Sequence, residues 1–256
     1  MSLQSEFYAL GREGGRGAIV TLLEGGPGPA GAKLLVRADG TADGTLGDPE
    51  LDRAVTAMGE ELMWEERSER RMAGEAAVFL DVAHPSPRLI AFGAVDFAAQ
   101  LCVVARASGW RPFVVDPRGF FARQDRFPAA EQVVAGWPEE AIARLGGIDR
   151  ATAMAVLTHD PKLDDAALSV ALRSEAFYIG AMGSRRAQAK RRERLLGLGF
   201  TDADLERLSA PIGLDLGAQR AEETALSIMA EIVAVRHGRE GGRLIDAAGR
   251  IHQVGS

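Results

Sequence analysis

The sequence predicts an α/β protein in which a small mixed unit precedes a doubly wound parallel sheet. Three observations carry this reading. From residue 89 onward, short apolar runs alternate with stretches of helical period, the pattern of parallel strands joined by crossovers and covered on both faces. Before residue 83 the strand-like runs are joined by short glycine-rich connections and the tight-turn pair Asp39-Gly40. Between the two patterns, Ala83-His84-Pro85-Ser86-Pro87-Arg88 carries two prolines, which interrupt helix and sheet alike. The expected domains are therefore 1–83 and 84–256.

In chain order, residues 18–25 and 33–40 have strand composition, and the glycine- and proline-dense stretch 25–31 between them is a shaped loop. Asp48 caps a helix with Pro49 at its first position, and Leu51, Val55, Met58 and Leu62 then share a face. Residues 76–82 form another strand. In the second domain the expected strands are 89–92, 113–115, 132–134, 153–157 and 176–179, with helices over 97–108, 138–145 and 164–173. Longer helices follow over 184–196 and 221–235, with a shorter one over 202–208 opened by the Thr201-x-x-Asp204 capping signal.

The 256 residues are 46% hydrophobic, enough for well-formed cores, and the net charge of −6 disfavours a general nucleic-acid or anionic-membrane binder. Any anion site must be local. Lys33, Lys162 and Lys190 are the only lysines among 30 basic residues, a skew toward arginine that reads as compositional bias. The single Cys102, in an apolar helical stretch, excludes an internal disulfide and a thiolate cluster and points to a reducing compartment. His84, His159, His237 and His252 lack metal-ligand spacing. With no signal-like start and no long apolar run, the expectation is a soluble cytoplasmic protein.

In a doubly wound sheet, ligands bind outside the carboxyl ends of the strands. The first segment there, Leu89-Ile90-Ala91-Phe92-Gly93-Ala94-Val95-Asp96, opens like a dinucleotide fingerprint but has Val95 where backbone must approach a pyrophosphate. Asp96 adds a charge that repels one. Gly93 then serves as a strand-to-helix turn. Asp116, 23 residues later, stands where a ribose-binding acid would, or begins a turn with Pro117. Thr158-His159-Asp160 sets a hydroxyl, an imidazole and a carboxylate at a strand end, either facing a ligand or closing a turn.

The fourth segment, Gly180-Ala181-Met182-Gly183-Ser184-Arg185-Arg186, places two cations at a helix N-terminus, against the macrodipole, at a cost of about 0.3–1 kcal/mol each. With Ser184 and free backbone N–H groups near Gly183, they form a cradle suited to a phosphate. Lys190, Arg191, Arg192 and Arg194, further along, read as a solvated basic face. Asp215, between Leu214 and Leu216 in a glycine-rich loop, needs a partner or braces backbone amides from a buried position.

Taken together, "PAGAKLLVRADG", "VLTHD", "YIGAMGSRR" and "PIGLDLGAQRAEETALSIMAEIVAVR" resemble the XdhC/CoxI family over nearly the whole chain. The resemblance implies a small XdhC/CoxI domain followed by a Rossmann-like one. It also implies the role of an accessory chaperone, a maturation factor rather than an enzyme. Such a protein binds the molybdenum cofactor (molybdopterin) as cargo, supports its sulfuration by a cysteine desulfurase, and delivers it to a molybdenum hydroxylase apo-enzyme such as xanthine dehydrogenase. A homodimer is implied as well. On this reading the cofactor phosphate falls to Gly183, Ser184, Arg185 and Arg186, with Gly93, Asp116, Thr158, His159, Asp160 and Asp215 around it. The chain departs from many relatives at Val95 and Asp96, and its residues 47–52 contain no cysteine. The competing reading is an NAD(P)-dependent oxidoreductase using the same domain, with His159 moving the proton.

Overall fold

The computed structural model describes residues 2–247, and His252 lies outside them. The described chain divides into two compact units, 2–86 and 87–247.

The first unit is an antiparallel sheet with a helix on each face. Helix α1 (Leu3–Arg12), capped by Ser2, is followed by β1 (Gly17–Glu24), β2 (Lys33–Arg37) and β3 (Ala42–Gly44). Then come α2 (Pro49–Glu65), β4 (Glu69–Ala73) and β5 (Ala76–Ala83), giving the sheet order β3-β2-β1-β5-β4. The cap and proline expected at Asp48-Pro49 open α2: the Asp48 carboxylate accepts from the N–H groups of Glu50 and Leu51, both at 2.9 Å. Such a cap contributes about 1 kcal/mol. Val55, Leu62 and Met63 of α2 pack with Ala18, Val20, Val36, Val78 and Leu80 on one sheet face, and Phe7 of α1 covers Ile19 and Leu35 on the other.

Two strands of this unit escape a reading by apolar pattern. β3 is exposed throughout, and β4, Glu-Arg-Arg-Met-Ala, is an edge strand rich in charge. Charged residues on an edge discourage pairing with other chains and hide the strand from hydrophobic periodicity.

The second unit contains β6 (Arg88–Phe92), α3 (Asp96–Ala107), β7 (Arg111–Asp116), β8 (Gln132–Ala135), α4 (Pro138–Arg144) and β9 (Thr152–Val156). It continues with α5 (Pro161–Leu172), β10 (Tyr178–Ala181), α6 (Arg185–Gly197), α7 (Asp202–Glu206), β11 (Leu208–Ser209) and α8 (Ala221–Arg236). All six strands pair in parallel, in the order β11-β10-β9-β6-β7-β8. Counted within this unit, that is the 3-2-1-4-5-6 order of a Rossmann sheet, with the switch point between β6 and β9.

Alternation along the central strands builds two cores. Leu89, Ala91, Ala153 and Ala155 face α3 and α8, while Ile90, Phe92, Met154 and Val156 face α4, α5 and Leu195 of α6. Burying the larger of these side chains, Leu89, Ile90, Phe92, Met154 and Val156, is worth about 1.5–3 kcal/mol each, and with both faces buried these strands read as continuous apolar runs. One strand is displaced from its expected place. β10 begins at Tyr178 rather than 176, because the register Ala181↔Val156 leaves Ala176 and Phe177 in the approach to the sheet.

Candidate functional site

A ladder of backbone hydrogen bonds sets four loops side by side along the carboxyl edge of the parallel sheet. Leu157 donates to Phe92 O at 2.9 Å, Met182 to Val156 O at 2.8 Å and Ile212 to Ala181 O at 3.1 Å, while Gly93 donates to Val115 O at 2.8 Å on the other side. The turn after β6, the Thr158 turn after β9, the Gly183 turn after β10 and the loop after β11 are thus neighbours in that order. Gly93, residues 158–160 and residues 183–186 follow the ends of β6, β9 and β10, Asp116 ends β7, and Asp215 lies in the loop after β11, so the candidate ligand-facing residues lie along this edge.

At the first turn, Gly93 has φ +107°, and a Cβ there would lie 3.1 Å from Thr158 Cγ2. Glycine is required twice over, by the backbone conformation and by the close neighbour. Asp116 explains why this turn does not resemble a phosphate loop. Its carboxylate is 0% exposed and accepts from Ala94 N–H at 2.8 Å, Arg118 N–H at 2.9 Å, Arg118 Nε at 2.9 Å and Arg118 Nη2 at 2.7 Å. An N–H of the turn and both oxygens of the acid are therefore committed to each other and to Arg118.

Burial pushes the Asp116 carboxyl up, but the hydrogen bonds from Arg118 and Ala94 more than offset it and leave its pKa below the ordinary value. Arg118 is held protonated, first by its hydrogen bonds to Asp116, with the charge of Asp160 adding in the same direction. Asp96 projects into solvent and pairs at 3.6 Å with Arg126, whose Nη1 donates to Ala94 O at 3.2 Å and Phe121 O at 3.1 Å.

The Thr158-His159-Asp160 segment splits into separate roles. Thr158 is buried, and its hydroxyl donates to Asp164 Oδ1 at 2.8 Å while accepting from Asp160 N–H at 2.9 Å. Asp160 caps α5 by accepting from Lys162 N–H at 2.9 Å, ahead of Pro161. The helix therefore begins before the expected residue 164. Asp160-Pro161 repeats the signal that opens α2 at Asp48-Pro49, so this start is available from the sequence. His159 and Asp160 are both exposed to solvent, and only Thr158 of the three is buried.

At the fourth turn Gly183 has φ +135°, and Ser184 caps α6 by accepting from Ala187 N–H at 3.3 Å. Arg185 and Arg186 open the helix, are exposed, and make no ion pair or side-chain hydrogen bond among the described residues. No acidic residue lies in that first turn.

The basic face expected further along α6 needs correction. Arg194 pairs with Asp165 at 2.8 Å and Arg192 with Asp202, but Arg191 is 3% exposed and turned inward. Its Nη2 donates to Asp164 Oδ2 at 2.7 Å and Met182 O at 2.9 Å, and its Nη1 to Gln188 Oε1. A run of basic residues gives no sign of which one points inward. The buried Asp164 three residues beyond the α5 proline is its counterpart.

Asp215 is likewise not the buried brace its leucine neighbours suggest. It is exposed, with Leu216 54% exposed beside it. Bracing of this loop comes from α8: Glu231 Oε2 accepts from Gly213 N–H at 2.7 Å and from the Tyr178 hydroxyl, and Ser227 Oγ donates to Leu214 O at 2.5 Å. Burial, reinforced by the Glu231 carboxylate, pushes the Tyr178 phenol well above its ordinary pKa. Glu231 gives no functional signal in the sequence because it sits at an ordinary position of an amphipathic helix.

The match to known proteins agrees with this architecture. The family model described as the XdhC Rossmann domain matches residues 89–232, more than half of the chain. The chain belongs to the XdhC family. A second model, described as the XdhC and CoxI family, matches residues 10–78. Among curated relatives, a Bacillus subtilis (strain 168) protein described as a probable xanthine dehydrogenase subunit is 31% identical over 62% of this chain and 46% of its own length. An Escherichia coli (strain K12) protein named "Molybdenum cofactor insertion chaperone PaoD" is 27% identical over 88% of this chain and 86% of its own length. "Uncharacterized protein YqeB" from the same organism is 27% identical over 84% of this chain and 42% of its own length. The chain thus spans less than half the length of the Bacillus and YqeB relatives. A crystal structure of a xanthine dehydrogenase from Bacillus halodurans superposes with a TM-score of 0.62 at 22% identity, covering 92% of this chain and 66% of that one, and shares its fold.

No helix among the described residues is long and apolar enough to cross a membrane.

Proposed function

We propose that this XdhC-family protein is a maturation factor that carries the molybdenum cofactor, with the cofactor's phosphate held at the N-terminus of α6. The observation that carries this reading is the pair Arg185 and Arg186: two exposed guanidiniums without partners among the described residues, in a first turn without acidic residues, beside the Ser184 hydroxyl. The donor set fits a phosphate, since guanidiniums fork onto its oxygens, the serine hydroxyl remains free to donate, and the helix N-terminus favours negative charge. Similarity to the relative named as a molybdenum cofactor insertion chaperone supports the choice of ligand. On this proposal Gly183 and Ser184 shape the cradle, while Gly93, Asp116 and Thr158 build the edge from beneath. His159, Asp160 and Asp215 line its rim.

The recipient is a molybdenum hydroxylase apo-enzyme, as the name of the Bacillus subtilis relative suggests. Sulfuration falls to a partner cysteine desulfurase, because Cys102 is buried and its thiol is pushed up to about 12, leaving almost no thiolate at neutral pH. The working form is a cytoplasmic homodimer. The NAD(P)-dependent oxidoreductase reading is disfavoured by the first turn: Asp116 and Ala94 N–H, which a dinucleotide would use, already bond each other.

Protein purified from a cofactor-producing host should release a pterin that fluoresces after oxidation. Replacing both arginines, Arg185→Gln with Arg186→Gln, should lower pterin occupancy without lowering the melting temperature, since it removes two cations from a helix N-terminus. Unchanged occupancy would remove α6 from the site, and micromolar binding of NADH or NADPH without pterin would favour the oxidoreductase.

A further inference from the structure

Helix α6 carries the proposed cradle on a thin attachment. Of its 13 residues only Arg191 and Leu195 are buried. Leu195 packs in the apolar layer with Ala171 and Phe200, and so holds the C-terminal half. The N-terminal half hangs on Arg191. Its guanidinium reaches Asp164 of α5 and the Met182 carbonyl just past β10 at once, and it also donates to Gln188. Gln188 Nε2 in turn donates to Gly183 O at 3.2 Å and Ala181 O at 3.4 Å. Asp164 is itself held by the Thr158 hydroxyl at 2.8 Å, so the chain of contacts runs from the turn after β9 to the turn after β10.

An apolar side chain would hold a helix down at lower cost than this. Arg191 Nε is buried without a partner among the described residues, and a buried ion pair is rarely more stable than well-packed hydrophobic residues of similar volume. What arginine adds is direction. Its rigid planar fork fixes the helix relative to a carboxylate and a carbonyl together, which a leucine cannot do.

We infer that Arg191 is the positioning residue of the anion cradle: through Asp164, Met182 and Gln188 it sets where Gly183, Ser184 and the Arg185-Arg186 pair stand, and thereby sets the preference for a phosphorylated ligand. The inference rests on the reading of that cradle as phosphate-binding. A binding constellation needs its supporting shell to hold it within about 0.5 Å of its productive geometry, and Arg191 is that support.

The test compares full-length wild type, Arg191→Lys, Gln188→Ala and the double variant Arg185→Gln, Arg186→Gln. Each is titrated by fluorescence with the oxidised pterin phosphate obtained from the molybdenum cofactor and with the same pterin after phosphatase treatment. Wild type should prefer the phosphorylated pterin, and the double variant should lose that preference. Arg191→Lys should cut the preference by about tenfold, the loss of one charge-assisted contact, with the affinity for the dephosphorylated pterin unchanged. Gln188→Ala, which keeps the buried ion pair, should move the preference the same way by a smaller factor, and it decides the matter if Arg191→Lys does not fold. A purely structural role would lower both affinities together. That parallel loss, or a wild-type preference in Arg191→Lys and Gln188→Ala, overturns the inference while the double variant still loses its preference. If wild type shows no preference, or the double variant keeps it, the cradle reading fails first and takes this inference with it.

Discussion

Replacing Asp116 with alanine separates a structural acid from a ribose-binding one. The carboxylate is fully buried and satisfies the N–H of Ala94, itself 2% exposed, together with the N–H and side chain of Arg118. In Asp116→Ala the Ala94 N–H is left buried without an acceptor, at about 1–3 kcal/mol. The Arg118 guanidinium is 46% exposed and returns to water, so the loss of that pair adds only about 0–1 kcal/mol. Removing a buried carboxylate also relieves its desolvation, which keeps the total near the middle of the range, about 2–3 kcal/mol. For a chain of this size each kcal/mol corresponds to about 2–4 °C, so the melting transition should fall by about 4–12 °C. Circular-dichroism melting supplies the stability, and fluorescence titration with NADH and NADPH supplies the binding. If Asp116→Ala melts within about 2 °C of wild type while abolishing a nicotinamide affinity that wild type possesses, Asp116 is a ligand-binding acid and not a structural one.

Four further outcomes follow from the same geometry. Because the folded-state pKa of Asp116 is depressed, its contribution is complete above the ordinary aspartate range and is lost as pH falls through the folded value; Asp116→Asn should therefore flatten the acid limb of a denaturant-stability profile below about pH 4. Asp164→Ala leaves Arg191 buried without its counter-charge and should cost about 3–5 kcal/mol, whereas the apolar pair Asp164→Leu, Arg191→Met should come within about 1–2 kcal/mol of wild type in urea unfolding. Gly93→Ala, forced to φ +107° with Thr158 Cγ2 at 3.1 Å from its new methyl, should destabilise by about 1–3 kcal/mol in the same assay. Cys102, buried and with its thiol pushed up to about 12, should react with a thiol reagent at pH 8 only at the rate of unfolding, so rapid labelling of the native protein would contradict its placement.

Much of this architecture is legible in residue order because it depends on local pattern. The alternating β6, β9 and their neighbours read as strands since both of their faces are buried, and α2 announces itself through Asp48 and Pro49. The carboxyl-edge placement of Gly93, Asp116, Thr158 and Gly183 also follows from the strand-then-loop order, because parallel strands all end on one edge. Short polar edge strands such as β3 and β4 carry no such pattern. Nor does an exposed turn of helix distinguish a cation that faces water from one that faces a carboxylate.

Tertiary structure alone decided the partners. Sequence supplied a basic run on α6, and the approach of α5 turned one member of it, Arg191, into a buried counter-ion for Asp164, while Arg185 and Arg186 have none among the described residues. It supplied an acid 23 residues after Gly93, and the folding of β7 against β6 brought that acid within hydrogen-bond reach of the turn itself. The physical reason is common to both cases. Propensity and periodicity act over a few residues, but the charge state and use of a carboxylate or guanidinium depend on which donors lie within about 3 Å, and those come from residues 22 or 27 positions away.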